Sequence, residues 1–350
     1  MPPKTDSSDE VEVVHTNDGN QEKLPLKDRL KNTTIKLFES GRVFIYNKAD
    51  DTFFGNSSSF WIKTAIYYFF FYVCLGLFYS GMVAVFGAII SREEPRYWYH
   101  NSEMNDGGVV YIGMGFRPQP TIDDTLITIY NGSQAQNDTV SSLRNYRIQY
   151  LTQYDPTNLQ ECSPTEPASN LQASRSCQFS WNDIVVSDNH PCSENNLYGW
   201  TAGQPCILIK LNKIYGWVPA TGDVSAAVAN ATGHAVLPID LRENNIYITC
   251  NGKETSDQQS IGSMKYYSLL NPLGSDYYGG LPYYFYPYMN SKEHVEPFVL
   301  VQFKNLTMEK KIDVQCRAWA PNIQQLSEGT TSRGMVTFTL LRTAQTGPKT

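Results

Sequence analysis

The stretch GQPCILIKLNKIYGW, residues 203–217, sets Cys206 near two lysines, Lys210 and Lys213. Cationic neighbours lower a thiol pKa, and the resulting thiolate is a nucleophile or a metal ligand. Either role needs companions: a general base for attack, or further nitrogen and sulfur donors for zinc. The five histidines (His15, His100, His190, His234 and His294) are far apart, with no H-x-H or H-E-x-x-H spacing, and no two cysteines form a C-x-x-C pair. There is no G-x-S-x-G elbow and no phosphate-cradling glycine loop followed by Lys-Ser/Thr. These residues predict no catalytic centre, no metal, no cofactor and no small-molecule substrate.

Two further fragments carry chemistry in other proteins. An Asp-x-Asp spacing, which holds a metal–nucleotide in many Golgi glycosyltransferases, does not occur; Asp123 and Asp124 are adjacent and suit a turn. The triplet Trp181–Asn182–Asp183 resembles the calcium triplet of C-type lectins. It lacks the second carbonyl-bearing triplet around a proline that would complete a hard-oxygen shell. The alternative readings these fragments represent are a type II adhesion or lectin-like receptor and a secretory-pathway enzyme.

Which compartment holds Cys206 depends on a membrane. Between Lys63 and Arg92 lie 28 residues without a formal charge, TAIYYFFFYVCLGLFYSGMVAVFGAIIS. About 20 helical residues cross the hydrocarbon core, so this run predicts one uncleaved transmembrane helix over 64–91. Residues 23–48 carry seven Lys/Arg against two acids, and the chain as a whole has a net charge of −6. That balance excludes nucleic acid as a general partner and favours a cytoplasmic N-terminus. The immediate flanks tie, with Lys48 and Lys63 before the span and Arg92 and Arg96 after it. Six of the seven cysteines (Cys162, Cys177, Cys192, Cys206, Cys250 and Cys316) follow the span, an even number suited to an oxidising compartment. Four N-x-S/T sequons follow it as well, at Asn131, Asn137, Asn230 and Asn305; Asn32 and Asn56 qualify on the other side. The expected layout is a cytoplasmic tail over 1–63, disordered over 1–22, the span over 64–91, a juxtamembrane stalk over 92–118 and an ectodomain over 119–350. Trp98 with its neighbouring tyrosines suits an interfacial aromatic belt.

Within the ectodomain the period is two. Alternation over 125–130, 206–212, 245–250, 297–303, 312–316 and 335–341, punctuated by Gly, Pro, Asn and Ser, predicts an antiparallel β-sandwich with no long helix and no internal repeat. In the opening stretch, Pro205 suits a strand's first position. Ile207, Ile209 and Leu211 point to the core, and Leu208, Lys210 and Asn212 take the other face, with Lys210 solvated or paired at the surface. Cys206 thus reads as a disulfide partner, although six cysteines allow 15 connectivities. In the span, Gly76, Ser80, Ala84 and Ala88 recur every fourth residue, and Tyr68 and Tyr72 extend the row. Small residues at that spacing let helix backbones approach closely in lipid. Cys74 lies inside the span as a free apolar thiol.

Several motifs in order resemble the β subunit family of the sodium/potassium and proton/potassium P-type ATPases. They are FIYN (44–47), FFG (53–55), FWIK (60–63), YFFFYVCLGLF (68–78), the G-x-P-C strand at 203–206, YYFYPYM (283–289), and LVQFKNLTM with VQCRAWAPNI (300–323). The stretches 100–118 and 218–236 and the Cys162–Cys177 interval depart from the usual lengths or composition. The resemblance implies an immunoglobulin-like sandwich stapled as Cys162–Cys177, Cys192–Cys206 and Cys250–Cys316. It implies a noncatalytic partner of a multi-spanning α subunit, aiding its folding and delivery to the plasma membrane and tuning its potassium handling. Tyr68, Tyr72, Gly76, Ser80 and Ala84 would face that partner in the membrane. Tyr283, Tyr284, Tyr286 and Tyr288 would face it outside. Non-reducing peptide mapping is expected to find Cys206 disulfide-bonded; a free Cys206 would break the scheme.

Overall fold

A computed structural model describes residues 44–48, 50–92, 94–98, 112–119, 124–130, 137–152, 156–170, 175–233, 244–328 and 331–344. The chain divides into two compact units between Ile89 and Ile90. In the first, three two-residue strands, Tyr46–Asn47, Thr52–Phe53 and Asn56–Ser57, form a small antiparallel sheet. Phe53, Phe54 and Trp61 meet edge to face, and the Trp61 indole N–H donates to the Phe53 carbonyl at 2.7 Å. Helix α1 (Ser58–Ile89) follows, apolar on every side and with no buried residue. Its 32 residues reach about 48 Å at 1.5 Å per residue, more than the hydrocarbon core requires. It starts at Ser58 rather than Thr64, because the charge on Lys63 does not end a helix that Phe60, Trp61 and Ile62 already favour.

The second unit is a sandwich of two five-stranded sheets. Its strands are β1 (Met114–Arg117), β2 (Leu126–Ile129), β3 (Cys206–Leu211), β4 (Asn245–Gly252), β5 (Ser263–Ser268), β6 (Asn271–Ser275), β7 (Gly279–Pro282), β8 (Phe298–Lys304), β9 (Lys311–Trp319) and β10 (Met335–Arg342). One sheet runs β6-β5-β8-β3-β1 and the other β7-β4-β9-β10-β2, all antiparallel except the parallel β10–β2 pair. The period-two pattern gives the inner faces directly. Ile312, Val314, Cys316 and Ala318 of β9 are buried between residues that are not. Across the interior, Phe116 stacks on Phe338 at 4.9 Å and Phe303 meets Phe338 edge on at 6.1 Å.

Three features depart from the sequence expectation. The sandwich begins at β1, ahead of residue 119, because Met114 and Phe116 are buried while the alternating Gly113 and Gly115 dilute the strand signal. Two helices of eight residues or more sit among the strands, α2 (Asn137–Thr152) and α3 (Ser225–Thr232). α2 buries only Val140, Leu143 and Tyr150, too thin a stripe to stand out from its polar residues. Trp98 packs edge on against Tyr215 at 5.2 Å instead of standing only in an aromatic belt. Gly216 makes room for it, since its φ is +71° and a Cβ there would lie 2.0 Å from the indole.

Disulfides join Cys162 to Cys177, Cys192 to Cys206 and Cys250 to Cys316. The last links directly opposed residues of β4 and β9 on the inner face. The Cys250 N–H donates to the Tyr266 hydroxyl of the facing sheet at 2.9 Å, so one position ties both layers. Loop entropy gives this 66-residue closure about 4 kcal/mol. Replacing Cys250 and Cys316 together by Ala is expected to lower the ectodomain melting temperature by about 5–15 °C. An unchanged calorimetric midpoint would contradict that.

Candidate functional site

Strand β3 is the place to start, because it is covered on both faces. Leu208 is as fully buried as Ile207 and Ile209. Of the residues on the face opposite the core, Leu208 is buried because α2 and an aromatic cluster lie over it, Lys210 is paired with Glu296 and Asn212 stays exposed. Tyr150 meets Phe179, Trp181 and Phe298 at ring distances of 6.1, 6.2 and 5.2 Å. The Lys210 ammonium sits 5.6 Å from the Tyr146 ring of α2, with the Arg117 guanidinium 5.4 Å from the same ring. Arg144 and Arg147, also on α2, each reach Glu194 at 2.6 Å and fix the helix to the Cys192–Cys206 loop.

Lys210 is no activated-thiol partner. It lies 3.5 Å from the Glu296 carboxylate, as does Lys213, with side-chain exposures of only 16% and 14% for Lys210 and Glu296. His294 completes this cluster, its ring tilted against Tyr288 at 4.7 Å while Lys213 lies over the same tyrosine at 5.4 Å. Burial holds the His294 imidazole neutral, its pKa lowered to about 4, with Lys213 and Lys210 reinforcing the shift against Glu296. Nothing local in the sequence flags this group, whose members lie on separate segments.

The tyrosine–proline segment leaves β7 through a single 3-10 turn, Tyr283–Phe285, whose Phe285 is buried against Phe179. The four tyrosines do not form one surface. Tyr283, Tyr284 and Tyr286 line a groove of about 550 Å³ with Pro164, Val218 and Leu270. Tyr288 turns away to His294 and Lys213, and its hydroxyl donates to Asn290 at 2.9 Å. All four are half-buried. The Tyr283 hydroxyl donates to the Ala220 carbonyl at 2.8 Å, and burial pushes its pKa up to about 12. Tyr286 packs edge on against Trp217 at 5.5 Å, and burial raises its phenol too.

On α1, Tyr68 and Tyr72 stack at 6.1 Å, so they share one side of the helix. Gly76, Ser80 and Ala84 continue that row as it winds round the helix, all exposed, and a Cβ added at Gly76 meets no atom within 4 Å. Cys74 is free and exposed. Of the sequons, Asn230 and Asn305 are exposed, Asn137 opens α2 and Asn131 lies outside the described residues. Among the described residues no group of His, Cys, Asp and Glu is placed to hold a metal ion.

A transmembrane-type helix, a three-disulfide sandwich and these tyrosines are the features that comparison with known proteins must account for. The family model described as "Sodium / potassium ATPase beta chain" matches residues 31–338. The chain belongs to that family. Among relatives, the sodium/potassium-transporting ATPase subunit beta-2 of Drosophila melanogaster is 29% identical over 301 residues, covering 81% of this chain and 87% of the relative. The beta-1 subunit of Tetronarce californica is 26% identical over 301 residues, covering 80% and 88%. Human beta-2 is 23% identical over 319 residues, covering 89% and 96%. As a beta chain the protein is the accessory part of the pump, a single-pass membrane protein with α1 as the candidate span.

His294 gives this beta chain a pH signature. With the folded pKa near 4 and the unfolded value near 6.5, the unfolded state binds more protons between them. Stability is therefore full above pH 6.5 and falls as pH drops through that window, by on the order of 3 kcal/mol. Denaturation midpoints of His294→Gln are expected to depend less steeply on pH between about 4 and 6.5 than wild type. Parallel profiles would contradict the assignment.

Proposed function

We propose that this chain is the noncatalytic partner of a P-type ATPase α subunit, which hydrolyses ATP and moves the ions. The chain assists the α subunit's folding, its exit from the endoplasmic reticulum and its delivery to the plasma membrane, and it tunes potassium and sodium transport. The N-terminus is cytoplasmic and the sandwich extracellular, in keeping with the basic block at 23–48 and with six paired cysteines beyond α1.

The observation that carries this reading is a contradiction in α1, read within the family match. The helix is apolar all round, as lipid requires, yet it carries a winding row of Tyr68, Tyr72, Gly76, Ser80 and Ala84. In lipid, where apolar burial offers no gain, such a row stabilises close helix packing. Residues four apart advance about 40° on a 3.6-residue helix, so the row winds and three or four members face one neighbour. Outside the membrane, Tyr283, Tyr284 and Tyr286 offer amphipathic contact area on a Pro-restricted turn, and Tyr288 serves as support for that turn. Glycans on Asn131, Asn137, Asn230 and Asn305 shield the surface and engage the folding machinery.

The bare surroundings of Gly76 make it a clean test, since a larger side chain there disturbs nothing within the chain. Gly76→Leu is expected to reduce α subunit recovered in mild-detergent co-purification several-fold, a loss of about 1 kcal/mol or more, with the ectodomain disulfides intact. Unchanged recovery would contradict this interface.

A further inference from the structure

The outward side of the second sheet carries a cavity that the proposed role does not use. Cys250 and Cys316 point inward, so their neighbours Thr249, Asn251, Gln315, Arg317 and Trp319 stand on the outer face of β4 and β9. α3 covers one end of that face. Its Val228 is fully buried against Tyr247 and Tyr278, with Trp319 and Ala229 at the margin of the cluster. Two residues on, Asn230 is exposed and lines a cavity of about 610 Å³, together with Asn251, Lys253, Gln315, Arg317 and Trp319. That volume is within the range of small-ligand sites, about 300–1,000 Å³.

The lining has a definite chemistry. Trp319 is half-buried and its indole N–H is spent on Thr249 Oγ1 at 2.8 Å, so the ring offers carbon surface. Asn251 uses its side-chain oxygen on the Gly252 N–H at 2.8 Å, which leaves its amide to act as a donor. Arg317 donates to Gln315 Oε1 at 3.0 and 2.6 Å, which fixes the two side chains against each other. Lys253 adds a second cation, and among the described residues no carboxylate lines the cavity. An aromatic surface ringed by amide and cationic donors suits a ligand with one C–H face and an edge of hydroxyl and acetamido oxygens, which describes an N-acetylhexosamine.

One such ligand has a covalent reason to be there. Asn230-Ala231-Thr232 is a sequon at the cavity's edge. A tethered sugar acts at high effective concentration, so contacts too weak for free binding are populated. We propose that this cavity seats the innermost N-acetylglucosamine residues of the glycan on Asn230, packed on Trp319 and hydrogen-bonded by Arg317 and Asn251. The proposal rests on the reading that Asn230 is glycosylated. Seated in this way, the glycan clamps α3, a helix of eight residues too short to persist alone, onto β4 and β9.

The test uses the full chain with its cellular glycans. Glycopeptide mass spectrometry first measures occupancy at Asn230 and Asn305. Native digestion with peptide-N-glycosidase F is then expected to release the Asn230 glycan about tenfold more slowly than the Asn305 glycan. In Trp319→Ala the Asn230 rate rises to match, while the Asn305 rate stays the same and reports an intact fold. Should that variant misfold, Arg317→Gln is expected to raise the Asn230 rate severalfold. An occupied Asn230 released at the Asn305 rate, or unaffected by either substitution, overturns the seating proposal and leaves glycosylation standing. An unmodified Asn230 overturns the glycosylation reading and the seating proposal with it.

Discussion

The ectodomain depends on strand β3 being buried on both sides. A strand in an open sandwich has one apolar face, and Cys206–Leu211 has two. Its inner face, Ile207, Ile209 and Leu211, belongs to the core shared with the second sheet. Its outer face, Leu208 and Lys210, requires a second layer, which α2, Trp181, Phe179 and the 192–206 loop supply. Lys210 can be covered only because Glu296 lies beside it, since a buried ammonium without a partner costs several kcal/mol. Glu296 in turn draws in Lys213 and borders His294 and Tyr288, so the electrostatics of one strand reach the tyrosine–proline segment.

That chain of dependence gives an accessory protein a rigid surface. The cysteine that could have been reactive is consumed in holding the start of β3 to the preceding loop. The lysines beside it are consumed in balancing a buried carboxylate. In the first unit the logic is inverted: α1 buries none of its residues.

The sandwich strands were legible because their period is two over five or more residues, as in β4, β8, β9 and β10. The span was legible from its 28 uncharged residues. β1 was not, since Gly113 and Gly115 carry no side chain to mark a face. α2 and α3 were not, since each buries only one to three residues and its stability comes from tertiary contacts rather than from its own pattern. Lys210 was read from a strand template with one wet face, and no local signal announces a second layer assembled from residues 137–200. The tyrosines were singled out by the resemblance of YYFYPYM to the family, but only the fold separates Tyr288 from the other three. The Glu296 and His294 cluster and the Trp319 cavity join residues tens of positions apart, and neighbour spacing cannot carry such information.

The composition of the complex in the membrane tests the account most directly. The chain, tagged at its N-terminus and purified in mild detergent from the cells that make it, is predicted to carry one multi-spanning P-type ATPase α subunit per chain. Recovery of the chain alone, or with a partner of another kind in that stoichiometry, would contradict the account.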